Sequence, residues 1–137
     1  MAKDISPAEI AANQKCDLFA LIFQQIKHNP LLSNENLEMV LEGNPITNKP
    51  EATVVSAGSY RASIRAHVSQ HPVSGENINN SPIMVSSWRD NSFHLKEDCE
   101  TPPIEKLNNQ AFANVEDSVK FFLSQIELIS KANNQEN

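Results

Sequence analysis

The chain has 137 residues, of which 39% are hydrophobic and 20% charged, and its formal net charge is -6. A chain of this length forms one domain around a single core, so we expect residues 1–137 to be one domain, with an ordered core over 5–132 and a frayed tail at 133–137. The negative charge disfavours a general nucleic-acid-binding surface, which is normally basic, and also disfavours attraction to anionic membranes.

The ends and the cysteines suggest a cytoplasmic protein. No apolar segment typical of a secretory signal follows Met1, and no run of about 18 apolar residues could span a bilayer. Cys16 and Cys99 are far apart and form no CxxC motif, so they predict neither a disulfide framework nor a metal site.

The first element is predicted to be a helix. Ser6 is placed to cap it, Pro7 suits its first position, and Glu9 completes a Ser-x-x-Glu capping box. A second, shorter helix is predicted over 34–42, capped by Ser33 and followed by Gly43 and Pro45. Its apolar face would comprise Leu37, Val40 and Leu41.

The middle of the chain changes to a period of two residues, which is typical of half-buried antiparallel strands. About four strands are predicted, with a turn at Ala57–Ser59 and a loop over 71–82. The strand segments are Thr53–Ser56, Tyr60–Val68, Ile83–Trp88 and Phe93–Leu95.

The last part of the chain is predicted to be helical. Ile104, Leu107 and Ala111 suggest one or two short helical turns, and Asn114 is placed to cap a long final helix. The fold class is therefore α+β: an antiparallel sheet of about four strands, with two N-terminal helices and a long C-terminal helix packed on it.

No sequence motif indicates catalysis. GxSxG, HExxH and glycine-rich phosphate loops are absent, and Cys99 stands between two acidic residues that would oppose thiolate formation. His67 and His71 could share a strand face with His94 nearby, but their spacing is not that of a metal site. We therefore expect no catalytic residue, no metal and no cofactor.

Six residues are candidates for contact with a partner protein. Arg61, Arg65 and His67 share the polar face of one strand, where they could grip acidic groups or could form an ordinary solvated face. Trp88 beside Arg89 could be an exposed anchor or the edge of the core. Phe121 extends the apolar surface of the last helix, which permits a homodimer or a partner groove.

In size, charge and order of elements, the layout resembles the small acidic chaperones of bacterial secretion systems, although it shares no sequence motif with them and has two opening helices where they have one. That resemblance implies a dimer that wraps an extended effector segment. The leading hypothesis is a non-enzymatic adaptor or chaperone-like module that recognises a client through sheet edges and apolar helix surface.

Two alternatives remain open. A small inhibitor or immunity-type protein would block a basic partner with an acidic face, and its binding would weaken steeply with salt. A small-ligand protein or enzyme would hold an anion at Arg61 or Arg65, in a pocket between the sheet and the terminal helix.

Overall fold

The computed structural model describes residues 6–69, 71–74, 77–91 and 104–136. They form an α+β fold, in which a five-stranded antiparallel sheet in the order β1-β2-β3-β4-β5 has a long helix at each end of the sequence. Neither helix is apolar enough over its length to cross a membrane. The elements are α1 (Pro7–Ile26), a 3-10 turn (Pro30–Ser33), β1 (Glu38–Gly43), β2 (Pro50–Ala57), β3 (Tyr60–Ala66), β4 (Ile83–Asp90), β5 (Ile104–Phe112) and α2 (Val115–Glu136).

Both helices pack on the same face of the sheet. One continuous apolar cluster joins residues of α1, such as Ile22, and of α2, such as Phe122, to alternate residues of the three central strands. Each fully buried isoleucine or phenylalanine contributes about 1.5–3 kcal/mol relative to an exposed one. The sheet residues of this cluster are Val55, Ala57, Tyr60, Ala62, Ile64, Ala66, Ile83 and Val85.

The starts of both helices confirm the predicted caps. The backbone N–H of Glu9 donates to the Ser6 hydroxyl over 3.2 Å, and Pro7 occupies the first turn of α1. The backbone N–H of Asp117 donates to the Asn114 side chain over 2.8 Å at the start of α2. Each cap satisfies a backbone donor that the helix itself cannot pair.

A buried polar cluster fixes α2 over the sheet. Gln125 is buried on α2, and its side-chain oxygen accepts hydrogen bonds from Ser87 over 2.6 Å and from Asn108 over 2.8 Å. Ser87 lies on β4 and Asn108 on β5, so one glutamine joins the helix to two strands. An unpaired polar group here would cost about 1–3 kcal/mol, and this cost favours a single position of the helix.

The second predicted helix, 34–42, is wrong. A 3-10 turn occupies Pro30–Ser33, and 38–43 form the edge strand β1, antiparallel to β2. A short apolar run fits either structure by its pattern alone, and here pairing with β2 decides in favour of a strand. Gly43 and Pro45 therefore end a strand, and the Asn44 side chain accepts the backbone N–H of Ile46 in the following turn.

The helical turns predicted around 104–111 are also wrong, because these residues form β5. The pairing with β4 shifts register between Ser87 and Trp88, which are opposite Asn108 and Lys106, so that Leu107 is an extra residue. Such a bulge breaks the period of two and makes a strand look helical in sequence. The sheet therefore has five described strands, and the predicted strand Phe93–Leu95 lies outside the described residues.

The predicted turn between β2 and β3 is confirmed as a two-residue connection, with Ala57 paired to Tyr60. Gly58 has φ +61°, a conformation that residues with a side chain rarely adopt. A Cβ atom at Gly58 would also collide with the side-chain amide of Asn133 near the end of α2. The hairpin and the end of α2 are thus in close contact at this glycine.

We expect Gly58→Ala to lower the free energy of unfolding by about 1–2 kcal/mol, chiefly through backbone strain at positive φ. Urea unfolding followed by circular dichroism measures this loss. Adding Asn133→Ala should restore only the part due to the collision. Gly43→Ala is the matched control, because its Cβ would lie 4.0 Å from the nearest atom, the carbonyl oxygen of Lys49. Equal stability of the two single variants would contradict the prediction.

Candidate functional site

The face of the sheet away from the helices, the open face, is built from three rows of side chains that cross all five strands. Cross-strand register defines each row, because residues directly opposite one another point to the same side. The rows are Glu42-Ala52-Arg65-Met84-Ala111, Val40-Val54-Ser63-Ser86-Asn109 and Glu38-Ser56-Arg61-Trp88-Lys106.

The first row contains an ion pair across two strand spacings. The guanidinium of Arg65 donates to the Glu42 carboxylate over 2.7 Å, and both side chains are about half exposed. Ala52 is opposite both residues in the register and is fully buried. The pair therefore passes over Ala52, where a larger side chain would obstruct it.

The third row also has a glutamate on β1, Glu38, and an arginine on β3, Arg61, but these two residues do not form an ion pair with each other. The Arg61 guanidinium donates to the backbone carbonyls of Gly58 and Tyr60 in the β2–β3 turn. Among the ion pairs formed by the described residues, none includes Glu38. The Glu38 carboxylate is thus exposed and is in no ion pair with a cation of the described residues.

Trp88 also lies on the open face, between Arg61 and Lys106 in the third row. It borders a hollow of about 270 Å³ together with Ile104, and Ser63 and Ser86 are among its other lining residues. This volume is slightly below the roughly 300–1,000 Å³ of drug-sized ligand sites. Two cations line the hollow: Arg65, which is already paired with Glu42, and Lys106, which is in no ion pair among the described residues. One such lysine does not by itself make an anion site.

The six candidate residues do not form one surface. Arg61, Arg65 and Trp88 share the open face, whereas Arg89 is opposite Tyr60 on the helix-covered side and its guanidinium lies 5.5 Å from the centre of that ring. Adjacent strand residues point to opposite faces, which separates Arg89 from Trp88. The pocket suggested between the sheet and the terminal helix would not contain Arg61 or Arg65, which face the other way.

His67 and Phe121 lie elsewhere. His67 follows the end of β3 with an exposed side chain, while its backbone N–H donates to the carbonyl of Pro82 over 2.6 Å. Phe121 is half-buried on α2, and its ring centre lies 5.4 Å from that of Phe112 on β5. Phe121 therefore joins α2 to the sheet edge and presents only part of its ring to solvent.

Three consecutive apolar residues are exposed at β1, which the sequence pattern assigned to a helix. All six residues of β1 are exposed, with Met39, Val40 and Leu41 at 40%, 54% and 42%. β1 is the first strand of the sheet, so no described strand pairs with its outer side. An edge strand with exposed apolar residues is a template for an additional strand.

The direction of the backbone groups of β1 follows from one side-chain contact. The Thr53 hydroxyl of β2 donates to the Val40 carbonyl over 3.0 Å, so this carbonyl points inward to β2. Because backbone groups alternate along a strand, the N–H and C=O of Met39 and Leu41 point outward. These two residues offer their hydrogen-bonding groups at the free edge.

The opposite edge, β5, differs from β1 in two respects. β5 carries the bulge at Leu107, and a bulge twists an edge strand and interrupts its pairing. It also carries Lys106 and polar residues, from Asn108 to Gln110. β1 has its only irregularity at its end, between Glu42 and Gly43. β5 also exposes Ile104 and Leu107, but β1 is the less protected edge because it is regular up to Glu42 and its exposed apolar residues are consecutive.

The described residues contain no candidate metal site, because no group of three or more of their His, Cys, Asp or Glu side chains could hold a metal ion. Cys16 is buried on α1, with its sulfur 3.0 Å from the Thr47 hydroxyl. His94 and Cys99 lie outside the described residues. Comparison with protein-family models, with curated proteins and with solved structures gives no match to this chain.

We expect the Glu42–Arg65 pair to contribute little to stability. A double-mutant cycle with Glu42→Gln and Arg65→Met should give a coupling energy of about 0.2–1 kcal/mol at low salt, because the exposed pair is screened by solvent. The coupling should shrink in concentrated salt. Urea unfolding at both salt concentrations measures it, and a coupling that is large and independent of salt would contradict the prediction.

Proposed function

We propose that the protein is a non-enzymatic, adaptor- or chaperone-like interaction module that binds an extended segment of a partner protein as an added strand at β1. The observation that carries the proposal is the exposure of the whole of β1 at the edge of the sheet. In this mode, backbone hydrogen bonds provide affinity and alternate side chains provide specificity.

The environment of β1 supports this mode on both of its sides. On the helix side, a depression of about 320 Å³ lies beside Met39 and the end of α1. On the open face, Val40 is flanked by Glu38 and Glu42. A strand added here would bury apolar side chains on one side and meet carboxylates on the other.

We expect Leu41→Pro to abolish binding with only a small effect on the fold. The Leu41 N–H points outward, so proline there removes a donor that an added strand needs but no donor to β2. The tagged protein, recovered from its native cells at moderate salt, is analysed by light scattering and by mass spectrometry of associated proteins. The wild type should carry a stoichiometric companion that Leu41→Pro loses.

Leu21→Ala is the matched control, since Leu21 is 54% exposed but lies on α1. This variant should retain the companion. In the wild type, the backbone amides of Met39 and Leu41 should exchange with solvent more slowly when the purified companion is bound. Retention of the companion by Leu41→Pro would overturn the proposal. A clean monomer with no companion would favour a small-ligand protein.

A further inference from the structure

Resting on the proposed function, we infer that the segment bound at β1 is basic: it carries an apolar residue opposite Val40 and a lysine or arginine two positions away on each side. The inference comes from the side chains that β1 presents on the open face. Glu38, Val40 and Glu42 point to this side, because they are opposite Ser56, Val54 and Ala52 in the open-face rows.

The carboxylates of Glu38 and Glu42 are placed to select positive charge in the bound segment. Residues directly opposite across strands approach to about 4.5–5.5 Å between Cβ atoms, so basic side chains would reach Glu38 and Glu42. Glu42 is already bonded to Arg65, whereas Glu38 is in no ion pair among the described residues. Glu38 is therefore the stronger determinant.

The same carboxylates disfavour a second copy of the chain as the occupant. Two β1 strands paired antiparallel about Val40 would place Glu38 opposite Glu42 of the second copy, and like charges directly opposite are destabilising. Pairing about Met39 would place Glu38 opposite Val40, and pairing about Leu41 would place Glu42 opposite Val40. Each of these registers sets a carboxylate against a carboxylate or an apolar side chain.

The helix side of β1 requires apolar residues at the intervening positions. Met39 and Leu41 point to that side, and Lys27 lines the depression beside Met39. A basic residue at an intervening position would meet apolar side chains and a like charge. The pattern is therefore basic, apolar, apolar, apolar, basic, with both basic residues on the open face.

Three short capped fluorescent peptides test the inference by anisotropy with the purified full chain. The first reads Ser-Lys-Val-Val-Val-Lys-Ser, the second replaces both lysines with glutamate, and the third reads Ser-Val-Lys-Val-Lys-Val-Ser. The first should bind about tenfold more tightly than the others at low salt, and its advantage over the glutamate peptide should be lost at high salt.

Glu38→Lys should weaken binding of the lysine peptide by about 3–10-fold and strengthen binding of the glutamate peptide. The matched control is Glu35→Lys, which changes the net charge equally but lies before β1, in an exposed position. A similar effect of both variants would show that only net charge matters and would overturn the inference.

The outcomes separate the two proposals. Equal binding of all three peptides, blocked by Leu41→Pro, would overturn the basic pattern and leave strand addition at β1 supported. No binding of any peptide up to its solubility limit would overturn strand addition itself. Self-association of the chain that Leu41→Pro abolishes would identify a second copy as the occupant and overturn the basic pattern.

Discussion

The two helices cover the sheet unevenly. α1 packs mainly on β2 and β3, and α2 packs on β2 to β5, so β1 is the strand that the helices contact least. The core cluster correspondingly draws its buried sheet residues from β2, β3 and β4. β1 is left with Met39 and Leu41 exposed on the side where other strands are buried. The candidate site is thus the part of the sheet that the described helices leave uncovered.

The charges of the open face follow the same geometry. Glutamates stand at two positions of β1, and arginines stand two strands away on β3, in the same rows. In one row the ion pair closes over Ala52, while in the other Arg61 is held by turn carbonyls. The two arginines therefore have different partners, and of the two glutamates only Glu42 is in an ion pair among the described residues.

The sequence predicted the elements whose signals are local. The caps at Ser6 and Asn114 and the glycine turn at Gly58 involve neighbouring residues only, and all three are present. β1 and β5 were missed because pairing with another strand decides their structure. In β5, the bulge at Leu107 also removed the alternation that would have identified a strand.

The candidate site was harder to predict than the fold. Strand alternation correctly placed Arg61 and Arg65 together on the polar face of a strand, but no local pattern reveals that Arg65 is bonded to Glu42. The position of β1 at the edge depends on the order of the strands in the sheet, which the local sequence does not encode. In the sequence, Met39 to Leu41 are only a short apolar run. That run, between two glutamates, was the available clue.

The order of residues in β1 has a consequence for chain direction. From Glu38 to Glu42, the strand reads acidic, apolar, apolar, apolar, acidic, and this order of chemical classes is the same from either end. The side chains of such a strand present a mirror-symmetric pattern, so they distinguish the composition of a neighbouring strand without distinguishing its polarity. A preference between parallel and antiparallel neighbours must then arise from the unequal surroundings of the two glutamates, since only Glu42 is bonded to Arg65, and from the backbone, where antiparallel hydrogen bonds are slightly more stable per residue.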